Sequence, residues 1–242
     1  MNATLIWDLP TRISHWILAA GVIFCAGVSL LLGEHSAFFP LHSLVGLVIA
    51  LLVLFRIVWG IIGSRHARFA SFLFGPAAVV KYFLAVVSGK PHRHVGHNPG
   101  SAYAIFAMLG LVLLLGATGV LRATGSELAE EVHEIAAYAL VGVVVAHLLG
   151  VALHTVKNRE NITLGMIHGR KDTGAEHAIP SARPLAALLM LVVVATWAAL
   201  LARGYTPATG SLRVPFTAVT LQLTEAEGGD VGEAQRDGDD DD

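Results

Sequence analysis

The sequence predicts an all-α membrane protein: an up-down four-helix transmembrane bundle with a fifth C-terminal transmembrane helix. Of its 242 residues, 55% are apolar and only 14% are charged, and the mean hydropathy is +0.66. Five apolar stretches are each close to the ~20 residues that cross a hydrocarbon core of ~30 Å. The net charge of −2 gives no basis for nucleic acid binding, whereas the composition predicts contact with membrane lipid.

The predicted spans follow one another with links of different length. They cover residues 13–32, 41–62, 103–121, 135–154 and 185–201. The link between the first and second spans and the link between the third and fourth are short, so the first four spans read as antiparallel neighbours. In the long loop 63–102, the stretch from Pro76 to Gly89 predicts a helix too short to span, either interfacial or packed on the bundle. Residues 212–223 alternate as strands do, and the acidic end from Glu225 is expected to be disordered.

The distribution of lysine and arginine predicts the orientation. With a cytoplasmic N-terminus, eleven of the 16 residues lie inside, four lie outside, and Arg56 falls within the second span. Cytoplasmic loops carry such an excess, so this orientation is favoured. The start of the chain lacks a convincing cleavage site, and the first span is expected to remain as an anchor. Cys25 is the only cysteine, which excludes an internal disulfide and multi-cysteine metal centres.

Four histidines lie at matched depths in the predicted spans. His133 and His147 are fourteen residues apart, which in an α-helix is ~21 Å and close to four full turns, so both imidazoles share one face. His42 opens the second span near the outside and His15 opens the first near the inside. We name His42 with His133 the outer pair and His15 with His147 the inner pair. His154, two turns beyond His147, matches the depth of His15 better, so depth alone leaves this partner open.

Two facing imidazoles from different helices suit axial ligation of one haem iron between them. Two such pairs therefore predict two haems, one above the other, because polar side chains in hydrocarbon are costly and usually functional. The alternatives are histidines that only hydrogen-bond between helices, and a histidine-lined pathway for a metal ion or a proton. Arg56 is expected either to pair with a propionate of the inner haem or to snorkel to headgroups. Arg12 is a further candidate for a propionate.

Four motifs resemble those of one family. They are WDLPTRISHW (residues 7–16), RIVWGIIGSRHARFASF (56–72), GHNPGSA (96–102) and NRENITLGMIHGRK (158–171). In order and spacing they are similar to the bacterial cytochrome b561 and nickel–iron hydrogenase cytochrome b-subunit family. The resemblance implies a four-helix cytochrome with two haem b groups. Its ligand histidines map onto His15, His42, His133 and His147, which favours His147 over His154.

The resemblance also implies a function and a location. Members pass electrons between a periplasmic partner, such as a hydrogenase or a c-type cytochrome, and membrane quinone, so we expect a multi-pass protein of the bacterial inner membrane. The resemblance ends near Lys171. We therefore expect a dihaem cytochrome domain at 1–175, an added helix at 176–204 and a periplasmic acidic tail at 205–242. Quinone oxidoreductase activity, the electron donor, and assembly as a homodimer are left open by the sequence.

Overall fold

The computed structural model describes residues 3–88 and 95–223. Its helices are α1 (Leu9–Gly27, continued by the π-helical turn Val28–Leu32), α2 (Phe39–Ile62), α3 (Pro76–Val87), α4 (Pro99–Arg122), α5 (Glu127–Asn158), α6 (Ile162–His168) and α7 (Pro184–Gly204). Among the described residues, α1 with its extension, α2, α4, α5 and α7 are long and apolar enough to cross a membrane. This confirms the five predicted spans. The predicted stop of α3 at Gly89 and the predicted disorder from Glu225 lie outside the described residues.

Three spanning helices begin well before the apolar stretch that predicted them, because a polar side chain caps each one. Asp8 accepts a hydrogen bond from the backbone of α1, Asn98 caps α4, and Ser126 caps α5. Such caps satisfy N–H groups that lack a partner within the first helical turn. As a result α5 starts two turns earlier than expected, and both of its predicted ligands lie well inside it.

The spanning helices pack as two antiparallel pairs, α1 with α2 and α4 with α5, and α2 also contacts α4. In the described part of the chain, α5 has few backbone contacts with α1 or α2. The backbones of these helices therefore stand apart from that of α5. At mid-depth the space between them is closed by a buried apolar cluster of Ile49 and Val53 from α2, Val112 from α4 and Leu140 from α5.

At the end of the bundle where the chain starts, hydrogen bonds join the start of α1 to the segment after α5. Strand β1 (Ala3–Leu5) pairs antiparallel with β2 (Arg170–Asp172). The Asp8 carboxylate also accepts from Trp59 Nε1 at 3.1 Å. Trp16 Nε1 donates to the Met166 carbonyl of α6 at 3.1 Å. We call this the inner end and the opposite end the outer end, following the predicted orientation.

The predicted short helix between the second and third spans is confirmed as α3. It contacts the start of α4, where the Tyr103 hydroxyl donates to the Phe74 carbonyl just ahead of α3 at 3.2 Å. This contact agrees with a loop helix packed on the bundle. It is equally compatible with a position at the level of the lipid headgroups.

The C-terminal part of the described chain extends the bundle and covers its outer end. Helix α7 packs on α1 and α2, with Met190 and Val194 buried against Leu52. It is followed by an antiparallel sheet of β3 (Tyr205–Thr206), β4 (Ser211–Arg213) and β5 (Thr220–Gln222). Strands β4 and β5 confirm the predicted alternation, and Leu212 and Leu221 are buried on α2 and α4. The predicted division of the chain at residues 175 and 204 stays a prediction.

Candidate functional site

The outer pair is formed, and the protein orients both rings. The ring centroids of His42 and His133 are 6.4 Å apart, with planes inclined by 58°. His42 Nδ1 donates to the Cys25 carbonyl at 3.0 Å. His133 Nδ1 lies 3.0 Å from Thr118 Oγ1, and it donates because the Thr118 hydroxyl itself donates to the Leu114 carbonyl at 2.8 Å. Both bonds assign the proton to Nδ1 and leave each Nε2 as a bare lone pair.

This separation fits two imidazoles on opposite sides of one metal ion. With metal–nitrogen bonds of about 2 Å, the two ring centroids lie about 6 Å apart. Gly46, one turn after His42 on the same face, has no atom within 4 Å of the place where a Cβ would stand. The missing side chain leaves room beside the ring for a flat macrocycle. The outer pair therefore fits a bis-imidazole haem.

Arg122, for which the sequence predicted no role, provides a cation beside the outer pair. Arg122, the last residue of α4, has its Cζ 5.7 Å from the centre of the Phe39 ring. Phe39 in turn stacks on His42 at 5.3 Å. Arg122 also forms ion pairs with Glu34 and Glu130. Arg122 lies one turn beyond Thr118, which orients His133. This spacing could have been recognised in the sequence of α4 once the helix beside it was known.

Helices α2 and α5 present matching faces to the space between them. On α5, Leu140 lies halfway between the two histidines that are fourteen residues apart. On α2, Arg56 is also fourteen residues from His42, and Ile49 lies halfway. Ile49 and Leu140 are buried together. Arg56 therefore lies at the depth of the inner pair, on the face of α2 that carries His42.

The two histidines of the inner pair lie within electrostatic range of each other, and their surroundings are less complete than those of the outer pair. His147 is close enough to His15 to interact with it electrostatically. Nδ1 of His15 and Nη1 of Arg56 are buried and have no hydrogen-bond partner. Arg56 as a whole is only 6% exposed. A buried polar group left unpaired costs about 1–3 kcal/mol. These atoms fit a polar, anionic group bound at this depth.

Protein contacts hold Arg56 from one side and bind Arg12 through two of its nitrogens. The Arg56 guanidinium lies 5.1 Å from the centre of the Phe69 ring, a cation–π contact that leaves Nη1 unpaired. Asp8 acts on Arg56 electrostatically, but its two oxygens accept from α1 and from the Trp59 indole. Arg12 instead donates to two carbonyls in the last turn of α6. Of the two arginines, Arg56 therefore has a buried nitrogen without a partner, whereas Arg12 is bonded to α6 through Nε and Nη2.

His154, the other candidate for the inner pair, has acidic and basic neighbours. It is buried, and its Nε2 lies 3.4 Å from a carboxylate oxygen of Glu160. Glu160 forms a second ion pair with Lys171 at 3.0 Å. Burial raises the pKa of Glu160, but hydrogen bonds and charge from Lys171 and then His154 outweigh burial, so this pKa lies below its ordinary value. His154 therefore belongs to a polar network at the inner end, whereas His147 interacts with His15.

A further histidine, His97, reaches the same layer from the loop before α4. Its ring lies 4.6 Å from that of Trp7 and 4.3 Å from that of Phe72, and its Nδ1 is buried without a partner. Burial, and then the charge of Arg56, lower the pKa of His97 to about 3. The imidazole is therefore neutral at pH 7. His97 lies in the predicted loop 63–102 and was not among the predicted ligands.

Other histidines do not build a separate metal centre in the part of the chain that the structure describes. Within residues 3–88 and 95–223, no group of three or more histidine, cysteine, aspartate or glutamate side chains is arranged to hold a metal ion. His92 and His94, which precede His97 in a histidine-rich segment, lie outside these residues.

Comparison with known proteins gives one family and a consistent set of relatives. The family described as prokaryotic cytochrome b561 matches residues 6–169. Three similar proteins are each called a probable Ni/Fe-hydrogenase B-type cytochrome subunit. The one from Cupriavidus necator is 28% identical over 128 residues, 44% of this chain and 52% of that protein.

The relative from Rhizobium leguminosarum bv. viciae is 28% identical over 134 residues, 47% of this chain and 56% of that protein. The one from Bradyrhizobium diazoefficiens is 24% identical over 211 residues, 69% of this chain and 85% of that protein. The chain thus spans about half the length of the first two relatives and most of the third. No solved structure matches the chain.

Proposed function

This chain belongs to the prokaryotic cytochrome b561 family, and we propose that it carries electrons through two haem b groups between a redox protein and membrane quinone. Membership makes it a multi-pass membrane b-type cytochrome, so haem b and electron transfer follow from the family. The family alone does not give the number of haems, their ligands, the partner or the quinone, and these are what we propose.

The observation that carries the proposal is the geometry of the outer pair. Its two rings are separated by 6.4 Å, and each Nδ1 is hydrogen-bonded so that each Nε2 is left for a metal. Helix–helix hydrogen bonding alone does not require this spacing, because the two rings do not bond to each other. His42 and His133 would hold one haem, and His15 and His147 would hold the second.

The surrounding residues would orient the ligands and compensate charge. Cys25 and Thr118 fix the rings of the outer pair through the bonds described above. Arg56 would bind a propionate of the inner haem through the nitrogen that has no partner. Arg122 is the corresponding cation beside the outer pair. Arg12, the second cation proposed from the sequence, would act mainly by fastening α6 to α1.

Haem b supplies reversible one-electron chemistry when it is bound, and the protein sets its orientation and potential. With two histidine ligands for each haem, the protein would favour electron transfer over the binding of oxygen. Between the two layers, the buried side chains of Ile49 and Leu140 exclude water and keep the layers apart. This arrangement favours electron transfer over oxygen activation.

The partners are proposed from the names of the relatives and from the predicted orientation. Because several relatives are named as hydrogenase subunits, the redox partner would be a periplasmic hydrogenase or c-type cytochrome that meets the outer end. Electrons would pass between this partner and quinone, with the N-terminus in the cytoplasm and the chain in the bacterial inner membrane. A homodimer is compatible with this arrangement.

A reduced-minus-oxidised visible spectrum of the purified protein, combined with a pyridine haemochrome count, tests the proposal. We expect the sharp bands of haem b and a count of two haems per chain. A count of one would overturn the dihaem assignment. A colourless protein would overturn the proposal as a whole and would favour transport of a metal ion or a proton through the histidine layers.

The quinone part of the proposal needs its own measurement. Addition of a short-chain quinol to the oxidised protein without air should reduce haem b, as followed in the visible spectrum. Dithionite in a parallel sample gives the full extent of reduction. Full reduction by dithionite with none by the quinol would overturn the quinone assignment and leave the haem assignment standing.

A further inference from the structure

The inner layer contains two unpaired nitrogens that belong to one continuous aromatic cluster. The Arg56 guanidinium lies over the Phe69 ring, and the Phe69 ring packs edge-on against Phe72 at 5.8 Å. The His97 ring contacts Phe72 at 4.3 Å and Trp7 at 4.6 Å. Arg56 Nη1 and His97 Nδ1 are both buried and lack a hydrogen-bond partner. The cluster therefore brings two unpaired nitrogens into the same layer, within electrostatic range of each other.

This cluster adjoins the inner pair. Both His15 and His147 act electrostatically on His97, as does Arg56. The position of His97 is fixed by the start of α4, since Asn98 caps that helix and Pro99 is its first residue. The loop ahead of α4 thus brings a ring nitrogen to the inner layer from a helix that carries neither of its predicted ligands.

His66, a polar side chain within electrostatic range of His97, has partners of its own. His66 also lies against the Trp7 ring, with centroids 6.3 Å apart. Its Nε2 is bonded to the His177 carbonyl at 2.9 Å. Its Nδ1 lies against Gly96, where an added Cβ would come within 3.3 Å. His66 is therefore committed to the inner-end loops.

The two unpaired groups differ in charge, which defines the ligand they suit. Arg56 is a cation, whereas the low pKa of His97 keeps its imidazole neutral at pH 7. A neutral imidazole donates one N–H without adding charge. One cation and one neutral donor suit a single carboxylate, which then gains hydrogen bonds from both and a net charge close to zero.

We propose that His97 donates a hydrogen bond from Nδ1 to a propionate carboxylate of the inner haem, beside Arg56, and thereby helps to set the potential of that haem. The assignment rests on the proposed function, because it requires a haem in the inner pair. His97 is a positioning and tuning residue, since hydrogen bonds to groups around a metal shift its redox potential.

The direction of the effect follows from charge. Without the donor, the negative charge of the propionate is less well compensated, and the more positive ferric state of the nearby iron is favoured. Replacement of His97 by leucine is therefore expected to lower the midpoint potential of the inner haem. The outer haem would lie ~21 Å away, the rise of fourteen residues of an α-helix, and is expected to keep its potential.

The experiment uses three substitutions at position 97 and one control. His97→Leu removes the donor, His97→Asn places an amide nitrogen near the position of Nδ1, and His97→Gln places it near Nε2. The control, His35→Leu, changes an exposed histidine in the loop between α1 and α2. Each is measured in the full-length protein by a redox titration followed in the visible spectrum, with a haemochrome count.

To isolate the inner haem, the same substitutions are repeated together with His133→Ala, which is expected to retain that haem alone. We expect His97→Leu and His97→Gln to lower the inner potential, and His97→Asn and His35→Leu to leave it near that of the unsubstituted protein. An inner potential that is unchanged in His97→Leu would overturn the proposal. So would loss of one haem in both His97→Leu and His97→Asn, because packing of the ring would then be what matters.

The outcomes separate this proposal from the function on which it rests. Unsubstituted protein that holds fewer than two haems overturns the dihaem function and the role of His97 together. Unsubstituted protein with two haems, whose potentials do not respond to position 97, overturns the role of His97 alone.

Discussion

The outer pair and the inner pair share residue type and spacing, but the protein completes only the outer pair with its own hydrogen bonds. His42 and His133 each have Nδ1 bonded, to the Cys25 carbonyl and to Thr118. In the inner layer, His15 and Arg56 each keep a buried nitrogen without a partner. The outer site is therefore oriented before a cofactor binds, whereas the inner site relies on the cofactor to satisfy its polar groups.

This difference comes from the neighbouring helices. Helix α4 packs along α5 and presents Thr118 to His133, so the outer ligand has a partner on an adjacent helix. At the inner depth the polar neighbours are Arg56 and His97, and each keeps a buried nitrogen without a hydrogen-bond partner. A bound carboxylate would supply the acceptor that the protein does not provide there.

The largest expected effect is the loss of one haem in each of two variants. One variant should lose the outer haem and the other the inner haem. His133→Ala should lower the haemochrome count from two to one by removing the outer haem, and His147→Ala should do the same for the inner haem. In His147→Ala, Arg56 would remain buried without its anion, so we also expect the greater fall in thermal unfolding temperature there. His35→Ala serves as the control for both.

A count of two in either variant would refute the corresponding ligand assignment. Equal unfolding temperatures in the two variants, with one haem each, would keep the ligands but contradict the difference between the layers.

A smaller effect is expected from Thr118→Val, which keeps the shape of the side chain and removes the hydrogen bond to His133. Loss of such a bond to a metal-ligating histidine typically weakens metal binding by about 10–100-fold. The outer haem should therefore pass faster to excess apomyoglobin, while the inner haem is retained as before. Thr124→Val is the matched control, because the Thr124 hydroxyl is exposed and bonds only to the Leu121 carbonyl in the described structure.

Faster loss of the inner haem, or equal loss from Thr118→Val and Thr124→Val, would show that Thr118 does not orient the outer pair.

The features that sequence predicted are those that one helix determines by itself. The fourteen-residue spacing of His133 and His147 fixes a shared face and a depth difference through helical geometry alone, and the apolar stretches mark five crossings. The contacts that sequence missed join separate segments. Thr118 meets His133 only because α4 lies beside α5, and His97 reaches the inner layer only because the loop before α4 folds onto Trp7.

The role of Arg12 shows the same limit from another side. Its spacing from His15 is local and predicted a place near the inner haem. In the structure two of its nitrogens are bonded to the Met166 and Ile167 carbonyls, which lie more than 150 residues further along the chain, and its predicted role at a propionate stays a prediction. The start of α5 was also misplaced, since the polar cap at Ser126 extends the helix beyond the apolar stretch.

The smallest expected effect concerns His154, whose depth alone made it a rival of His147. Because its Nε2 lies against Glu160, His154→Ala should keep two haems per chain and both midpoint potentials. It should lower the free energy of unfolding by about 1 kcal/mol, the usual net worth of one hydrogen bond. A haemochrome count of one in His154→Ala, together with a count of two in His147→Ala, would exchange the two assignments.

The pH dependence of this network provides the control for His154→Ala. The pKa of Glu160 is depressed in the folded protein, so its stabilising contribution is full above the pKa of the unfolded chain and is lost as pH falls through the folded value. Glu160→Gln should remove this acid-side loss without changing the haem count. If Glu160→Gln instead releases the inner haem, the network at the inner end supports the cofactor directly. The two layers would then also differ in the residues that support their ligands.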